Sequence, residues 1–189
     1  LQEAAQFLES LGAGHSVMLK AVAGGGGRGM RAVHRAEDLP AAYERCQSEA
    51  RHAFGTGAVY AEELIRRARH LEVQILGDGT GAVAHLGERE CSLQRRHQKL
   101  VEIAPAPRLS EELRGQLCDA AVAMAEAVSY ANVGTFEFLV DDEHQSFAFI
   151  EANPRLQVEH TVTELVTGID LVATQLALAA GASLHDLEL

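Results

Sequence analysis

The sequence predicts an α+β fold. Strand-like and helix-like segments interleave along the chain, most links between successive strands are too short for parallel crossovers, and the composition suits a packed core. Of 189 residues, 47% are hydrophobic and 23% charged, with 17 Gly and 4 Pro, which excludes a disordered tail, a collagen-like repeat and a coiled coil. Aromatics are only 5% and Trp is absent, so the core must be assembled from Ala, Val, Leu and Ile.

Residues 2–11 carry Ala5, Leu8 and Leu11 at helical spacing, and Gly12 stops them. A strand over 16–23 leads into the glycine run 24–29, and a second short strand covers 30–34. A helix over 37–54 has Pro40 in its first turn, where the missing N–H costs nothing, and a third strand covers 59–63. Residues 1–63 therefore form a small lobe of two helices and three strands. In the second lobe, 64–189, strands are predicted over 70–76, 82–90 and 99–104, with Asp78-Gly79 turning the first hairpin. A helix over 110–131 follows, with Leu113, Leu117, Met124 and Val128 on one stripe and Glu111 and Glu112 at its positive end. Residues 135–140 and 147–151 read as a hairpin across an acidic turn, and a last helix spans 170–180 before Gly181. The stretch 153–160 reads as irregular.

Acidic residues outnumber basic ones 27 to 16, a net charge of −11, which argues against general nucleic-acid or anionic-membrane binding. Cys46, Cys91 and Cys118 are odd in number and lack metal-ligand spacing, as expected of reduced thiols in the cytoplasm. No apolar run reaches membrane-spanning length, no signal peptide opens the chain, and the start on Leu1 is that expected of a fragment. Only Lys20 and Lys99 are lysines among the 16 basic residues, which suggests places where a compact, rotatable ammonium is wanted, the alternative being a codon bias toward Arg.

Gly24, Gly26 and Gly29 satisfy G-x-G-x-x-G, but a strand rather than a helix follows, so a dinucleotide fold does not fit; no Gly-Lys-Ser/Thr follows either. What fits is a hairpin flap whose bare N–H groups lie over phosphates, the alternative being a ligand-free surface loop. Lys20, at the end of the leading strand, is placed to reach the same phosphates. Arg89, Arg95, Arg96, His97 and Lys99 concentrate positive charge in an acidic chain, as in a cleft for a small polyanion. Glu137 and Glu151 sit among apolar neighbours on paired strands, where an unpaired charge is costly. With Asn153 they offer hard oxygen ligands for Mg²⁺ or Mn²⁺; the alternative is pairing with arginines. Beyond them Arg155, Gln157 and Glu159 share an alternating parity, with Arg155 suited to a planar anion and Glu159 to general-base work. His160 reads as structural.

Lys20 with Arg28-Gly29-Met30, the run Glu88-Arg-Glu-Cys-Ser-Leu-Gln-Arg-Arg-His-Gln-Lys99, Gly134-Thr-Phe-Glu-Phe138 and Glu151-Ala-Asn-Pro-Arg-Leu-Gln-Val-Glu-His160 together resemble a biotin carboxylase. This is the ATP-grasp component of the acetyl-CoA, propionyl-CoA, pyruvate and urea carboxylases. The resemblance is collinear over nearly the whole chain. It implies an ATP-grasp fold in which 1–63 is the lid and 64–189 the central portion, with N-terminal doubly wound and C-terminal regions outside this segment. It further implies that Lys20 and the flap, including Gly25, Gly26, Gly27 and Gly29, hold ATP phosphates. Glu62, Glu63 and Ile65 would meet adenine, and His70, Gln94 and His97 the ribose and phosphate side.

On the same resemblance Glu137, Glu151 and Asn153 would bind Mg²⁺ or Mn²⁺ at two sites. Lys99, Arg155, Gln157 and the Val158 backbone would hold bicarbonate, and Glu159 would deprotonate it for attack on the γ-phosphate. Carboxyphosphate would then break down, and biotin on a carboxyl carrier domain would capture the CO₂ for a carboxyltransferase domain or subunit. Three departures stand out: Glu63 where members usually have Lys, Ala23 opening a glycine run often one longer, and Ala152 in place of a usual Met. The alternatives are a non-catalytic nucleotide-binding module and another ATP-grasp ligase such as a carbamoyl-phosphate synthetase domain. The runs Gln94 to Lys99 and Arg155 to His160 argue against the latter.

Overall fold

The computed structural model describes residues 1–12, 14–23, 29–65, 67–96 and 98–189. Gly24, Gly25, Gly26, Gly27, Arg28 and His97 lie outside them. The chain divides into two compact units, Leu1–Arg66 and Arg67–Leu189. All three cysteines are free and buried. Among the described residues no single helix is long and apolar enough to cross a membrane.

In the first unit, α1 (Gln2–Leu11), β1 (Val17–Ala21), β2 (Met30–Val33), α2 (Leu39–Phe54) and β3 (Val59–Glu63) form an antiparallel sheet in the order β2-β1-β3 with two helices. Strand alternation sends Val17 and Leu19 inward to a core with Ala4, Leu8, Val33, Leu39 and Cys46. Met18 and Lys20 therefore point the other way, Lys20 standing between Met30 and Tyr60 in the register. The predicted start of α2 at Glu37 falls in a short 3₁₀ turn, Ala36–Asp38, and the α-helix begins at Leu39 with Pro40 in its first turn.

The second unit contains β4 (Arg69–Asp78), β5 (Val83–Arg95), β6 (Gln98–Ile103), α3 (Glu111–Ala127), β7 (Ala131–Asp141), β8 (Ser146–Asn153), α4 (His160–Thr167) and α5 (Leu171–Ala179). Its five strands are antiparallel in the order β6-β5-β4-β7-β8. Leu71, Val73, Ile75, Phe136, Phe138 and Val140 form one apolar face, packed against Leu113, Leu117, Ala121 and Ala125 of α3. By the same period of two, Glu72, Gln74 and Leu76 fall on the opposite face, where Leu76 and Val133 pack with Leu171 and Leu178 of α5. One face is thus a conventional core, and the other is partly polar.

Three predicted elements are corrected. The helix expected over 110–131 ends at Ala127: Ser129 takes a left-handed φ of 47°, and β7 starts at Ala131, ahead of the expected 135. Val128, placed by its spacing on the buried stripe, is 67% exposed. The stretch after Asn153 is not extended, so the strand parity expected of Arg155, Gln157 and Glu159 does not apply; two turns lead into α4. That helix carries an inverted pattern, with Thr163 buried and Leu165 87% exposed, so hydrophobic periodicity does not reveal it.

Candidate active site

The polar face is built from register. Arg89 on β5 stands opposite Glu72 on β4, Glu72 opposite Glu137 on β7, and Glu137 opposite Glu151 on β8. A single row across four strands therefore carries one guanidinium and three carboxylates. A second row sets Gln74 beside Thr135 and Asn153. Like charges directly opposed in a sheet repel, so this row persists only with counter-charges.

Lys99 on β6 supplies one. Its ammonium donates to Glu137 Oε1 at 2.9 Å, to Glu159 Oε1 at 2.8 Å and to Glu72 Oε2. Burial works against the charge on Lys99, but Glu72 and the hydrogen bonds to Glu159, Glu72 and Glu137 outweigh it and hold the ammonium above the ordinary lysine value. Arg89 supplies the other. It is fully buried and donates from Nε to Glu72 Oε1 at 2.6 Å, and from Nη1 to Gln74 Oε1 at 2.9 Å and Thr163 Oγ1 at 2.8 Å.

Glu137 sits where these groups meet. Its Oε1 accepts from Lys99, from Asn153 Nδ2 at 2.8 Å and from Gln157 Nε2 at 3.1 Å, and its Oε2 accepts from His70 Nε2 at 2.7 Å. Gln94 donates to His70 Nδ1 at 2.7 Å, which leaves the His70 proton on Nε2, facing Glu137. Burial pushes the Glu137 carboxyl up, but hydrogen bonds from His70 and Lys99 overcome it and hold the group at about 2. Glu159, at the N-terminus of α4, is pushed up by burial and pulled down more strongly by Lys99, ending below the usual carboxylate range. It is thus ionised at neutral pH.

Among the described residues, Glu72, Glu137 and Glu159 surround Lys99, Glu72 also holds Arg89, and Glu151 adds a fourth carboxylate by its register opposite Glu137. The residues present therefore fit a divalent cation: two opposed carboxylates, Glu137 and Glu151, with the Asn153 amide beside them, form an oxygen-rich set suited to Mg²⁺ or Mn²⁺. Glu72, Cys91 and Glu159 also gather ligand atoms within 4.8 Å of one another. There, however, the Lys99 ammonium bonds both carboxylates, and burial keeps the Cys91 thiol protonated.

Of the other residues singled out by sequence, Gln157 is buried and also accepts from Thr135 Oγ1. Val158 is 90% exposed. Arg155 lies outside the buried network: it is exposed and donates to Leu156 O at 3.3 Å and Asn153 Oδ1 at 3.4 Å. In the first unit Lys20 pairs with Glu62, Glu63 is bonded to His15 Nδ1 at 2.7 Å, and Ile65 follows β3, half-buried. The Gly29 carbonyl accepts from Ala21 N and from Cys46 Sγ, both at 3.0 Å. Glu72, Gln74, Thr135 and Thr163 are site residues that sequence reading missed. The signal for the first two was the alternation of His70, Glu72 and Gln74 with Leu71, Val73 and Ile75.

Residues 1–187 match the family described as carbamoyl-phosphate synthase L chain, ATP binding domain. The chain is 56% identical over 172 residues to pyruvate carboxylase of Bacillus subtilis (strain 168), covering 91% of this chain and 15% of that protein's length. A biotin carboxylase from Campylobacter jejuni, solved as a β,γ-ATP complex, superposes with a TM-score of 0.91 at 49% identity, covering 96% of this chain and 40% of that one. The biotin carboxylase domain of Hydrogenobacter thermophilus 2-oxoglutarate carboxylase, solved with MgADP, ADP and bicarbonate, gives 0.89 at 46%, again over 96% and 40%. The family's descriptor names carbamoyl-phosphate synthase, but these relatives are carboxylases, which favours the carboxylase side. The ATP-grasp fold and the identities across nearly the whole segment lead to one conclusion: the chain belongs to the carbamoyl-phosphate synthase L chain ATP-binding-domain family, in its biotin carboxylase group.

Proposed function

We propose that this chain is the ATP-binding portion of a biotin carboxylase that uses MgATP to activate bicarbonate and carboxylate biotin on a carrier domain. The observation that carries this reading is the Lys99 ammonium shared by Glu72, Glu137 and Glu159, a cationic group ringed by a general base and a metal-ligand candidate. The MgADP and bicarbonate in the Hydrogenobacter domain support it. Residues 1–63 act as the lid and 64–189 as the central portion. Lys20, Gly29 and the flap residues Gly25, Gly26 and Gly27 take the phosphates; Glu62, Glu63 and Ile65 meet adenine; His70, Gln94 and His97 line the ribose and phosphate side.

Glu137, Glu151 and Asn153 hold Mg²⁺ or Mn²⁺ at two sites, and the metal, when bound, offsets the negative charge of the transferring phosphoryl group. Lys99, Arg155, Gln157 and the Val158 backbone hold bicarbonate. Glu159 accepts its proton, and the freed oxygen attacks the γ-phosphorus as the bond to ADP breaks. Carboxyphosphate so formed breaks down to CO₂ and phosphate; the phosphate takes the N1′ proton of biotin, and N1′ bonds to the CO₂. Lys99 and Arg155 lower the repulsion between two anions that must touch. A carboxyltransferase domain or subunit receives the carboxybiotin, and the protein works in the cytoplasm.

The test is phosphate release from MgATP by the full-length gene product, with and without bicarbonate and free biotin. The reading predicts bicarbonate-dependent release, stimulated by biotin and lost in Glu159→Gln. Nucleotide binding without such release would identify a non-catalytic module instead.

A further inference from the structure

The structure assigns Arg89 a positioning role in bicarbonate activation, exerted through Glu72 and through Thr163 on α4; this rests on the functional reading above. Arg89 touches none of the groups assigned to substrate. It instead joins three elements: Glu72 and Gln74 on β4, its own strand β5, and Thr163 in the first turn of α4. Glu159 lies at the N-terminal boundary of that helix, so the hydroxyl that ties Thr163 to Arg89 also fixes where Glu159 meets Lys99. The other branch works through Glu72. One of its oxygens is held by Arg89 Nε, which leaves the second turned to Lys99. Arg89 thereby constrains both the base and one partner of the ammonium.

Stability alone is a poor account of this arrangement. Arg89 Nη2 is buried with no hydrogen-bond partner among the described residues, and an apolar side chain would avoid that cost. Thr163 is equally unusual, as the buried residue of α4. Replacing Arg89 alone would strip Glu72, Gln74 and Thr163 of their shared donor and, with it, the fixed direction of Glu72 and of the α4 N-terminus.

The test uses the full-length gene product with Arg89→Met, Thr163→Val and Thr163→Ser, following bicarbonate-dependent phosphate release together with MgADP affinity. For Arg89→Met we expect kcat to fall by about ten- to a hundredfold, KM for bicarbonate to rise severalfold and MgADP affinity to hold within about twofold. Thr163→Val should shift the same parameters less, and Thr163→Ser, which keeps the hydroxyl, should recover most of the loss. If Arg89→Met does not fold, the Thr163 pair decides. An unchanged KM for bicarbonate in the folded variants overturns the proposal and leaves a merely structural Arg89. A wild-type protein without bicarbonate-dependent release overturns the functional reading, and this proposal with it.

Discussion

In Leu1–Arg66 the charged residues assigned to the nucleotide pair one to one, Lys20 with Glu62 and His15 with Glu63, and keep part of their surface in solvent. In Arg67–Leu189 Lys99 is shared by three carboxylates, Glu137 takes four donors, and Glu72 and Arg89 are fully sequestered. Among the described residues, the charges assigned to the nucleotide in the first unit stand in separate pairs. The second holds an interlocked set in which each charge is tolerated because the others are present. Substitutions in the first should therefore act singly and weakly, and those in the second should propagate.

The most disruptive change on this view is Lys99→Met. It leaves Glu72, Glu137 and Glu159 without their common cation, and breaking a buried pair costs about 3–5 kcal/mol. Urea unfolding should show a loss of that order, and bicarbonate-dependent ATP cleavage should disappear. A loss below about 1 kcal/mol, the size expected of an exposed pair, would put the second unit on the footing of the first.

Acid should separate the units next. The folded Glu137 carboxyl is depressed from 4.5 to about 2, so its contribution to stability is complete above about 4.5 and is lost as pH falls through the folded value. Stability should thus decline between about pH 4.5 and 2, with Glu137→Gln flattening that part of the curve. The same slope in wild type and variant would remove Glu137 from the network.

Two glycines compare the units where backbone packs closely. A Cβ at Gly77 would lie 2.1 Å from the Tyr130 carbonyl oxygen, and main chain yields poorly. Gly77→Ala should cost about 1–3 kcal/mol through overpacking. At Gly29, where φ is +69°, a Cβ would come within 2.9 Å of Ala21 Cβ, and Gly29→Ala should cost about 1–2 kcal/mol. Thermal melts of both variants give the order. The smallest effect is expected from Glu63→Lys, which removes a half-exposed contact with His15 and should change stability by under about 1 kcal/mol. On the resemblance to biotin carboxylases, which implies Lys at this position, nucleotide affinity should rise a few fold, as titration with ADP would show.

The sequence made some of this legible and hid the rest for physical reasons. Patterning located most of the strands, and dense polar runs and apolar surroundings singled out Lys99, Glu137 and Glu159, which the structure joins in one hydrogen-bonded group. The row Arg89-Glu72-Glu137-Glu151 could not be read, since register joins four strands that are separated in sequence. Helix α4 escaped because its buried position is a threonine serving a hydrogen bond, while Leu165 and Val166 stay exposed. Arg155 was grouped with Gln157 and Glu159 by a strand parity that the turns before α4 break.

The central claim is that Glu137, held ionised by Lys99 and His70 and opposed to Glu151, is the anchor for metal-bound nucleotide. Calorimetric titration of the full-length gene product with ADP, with and without Mg²⁺, beside the same titrations of Glu137→Gln, tests it most directly. The account predicts saturable binding that Mg²⁺ tightens in the wild-type protein and tightens far less in the variant. Binding that ignores Mg²⁺, or an equal gain in a folded Glu137→Gln, would contradict it.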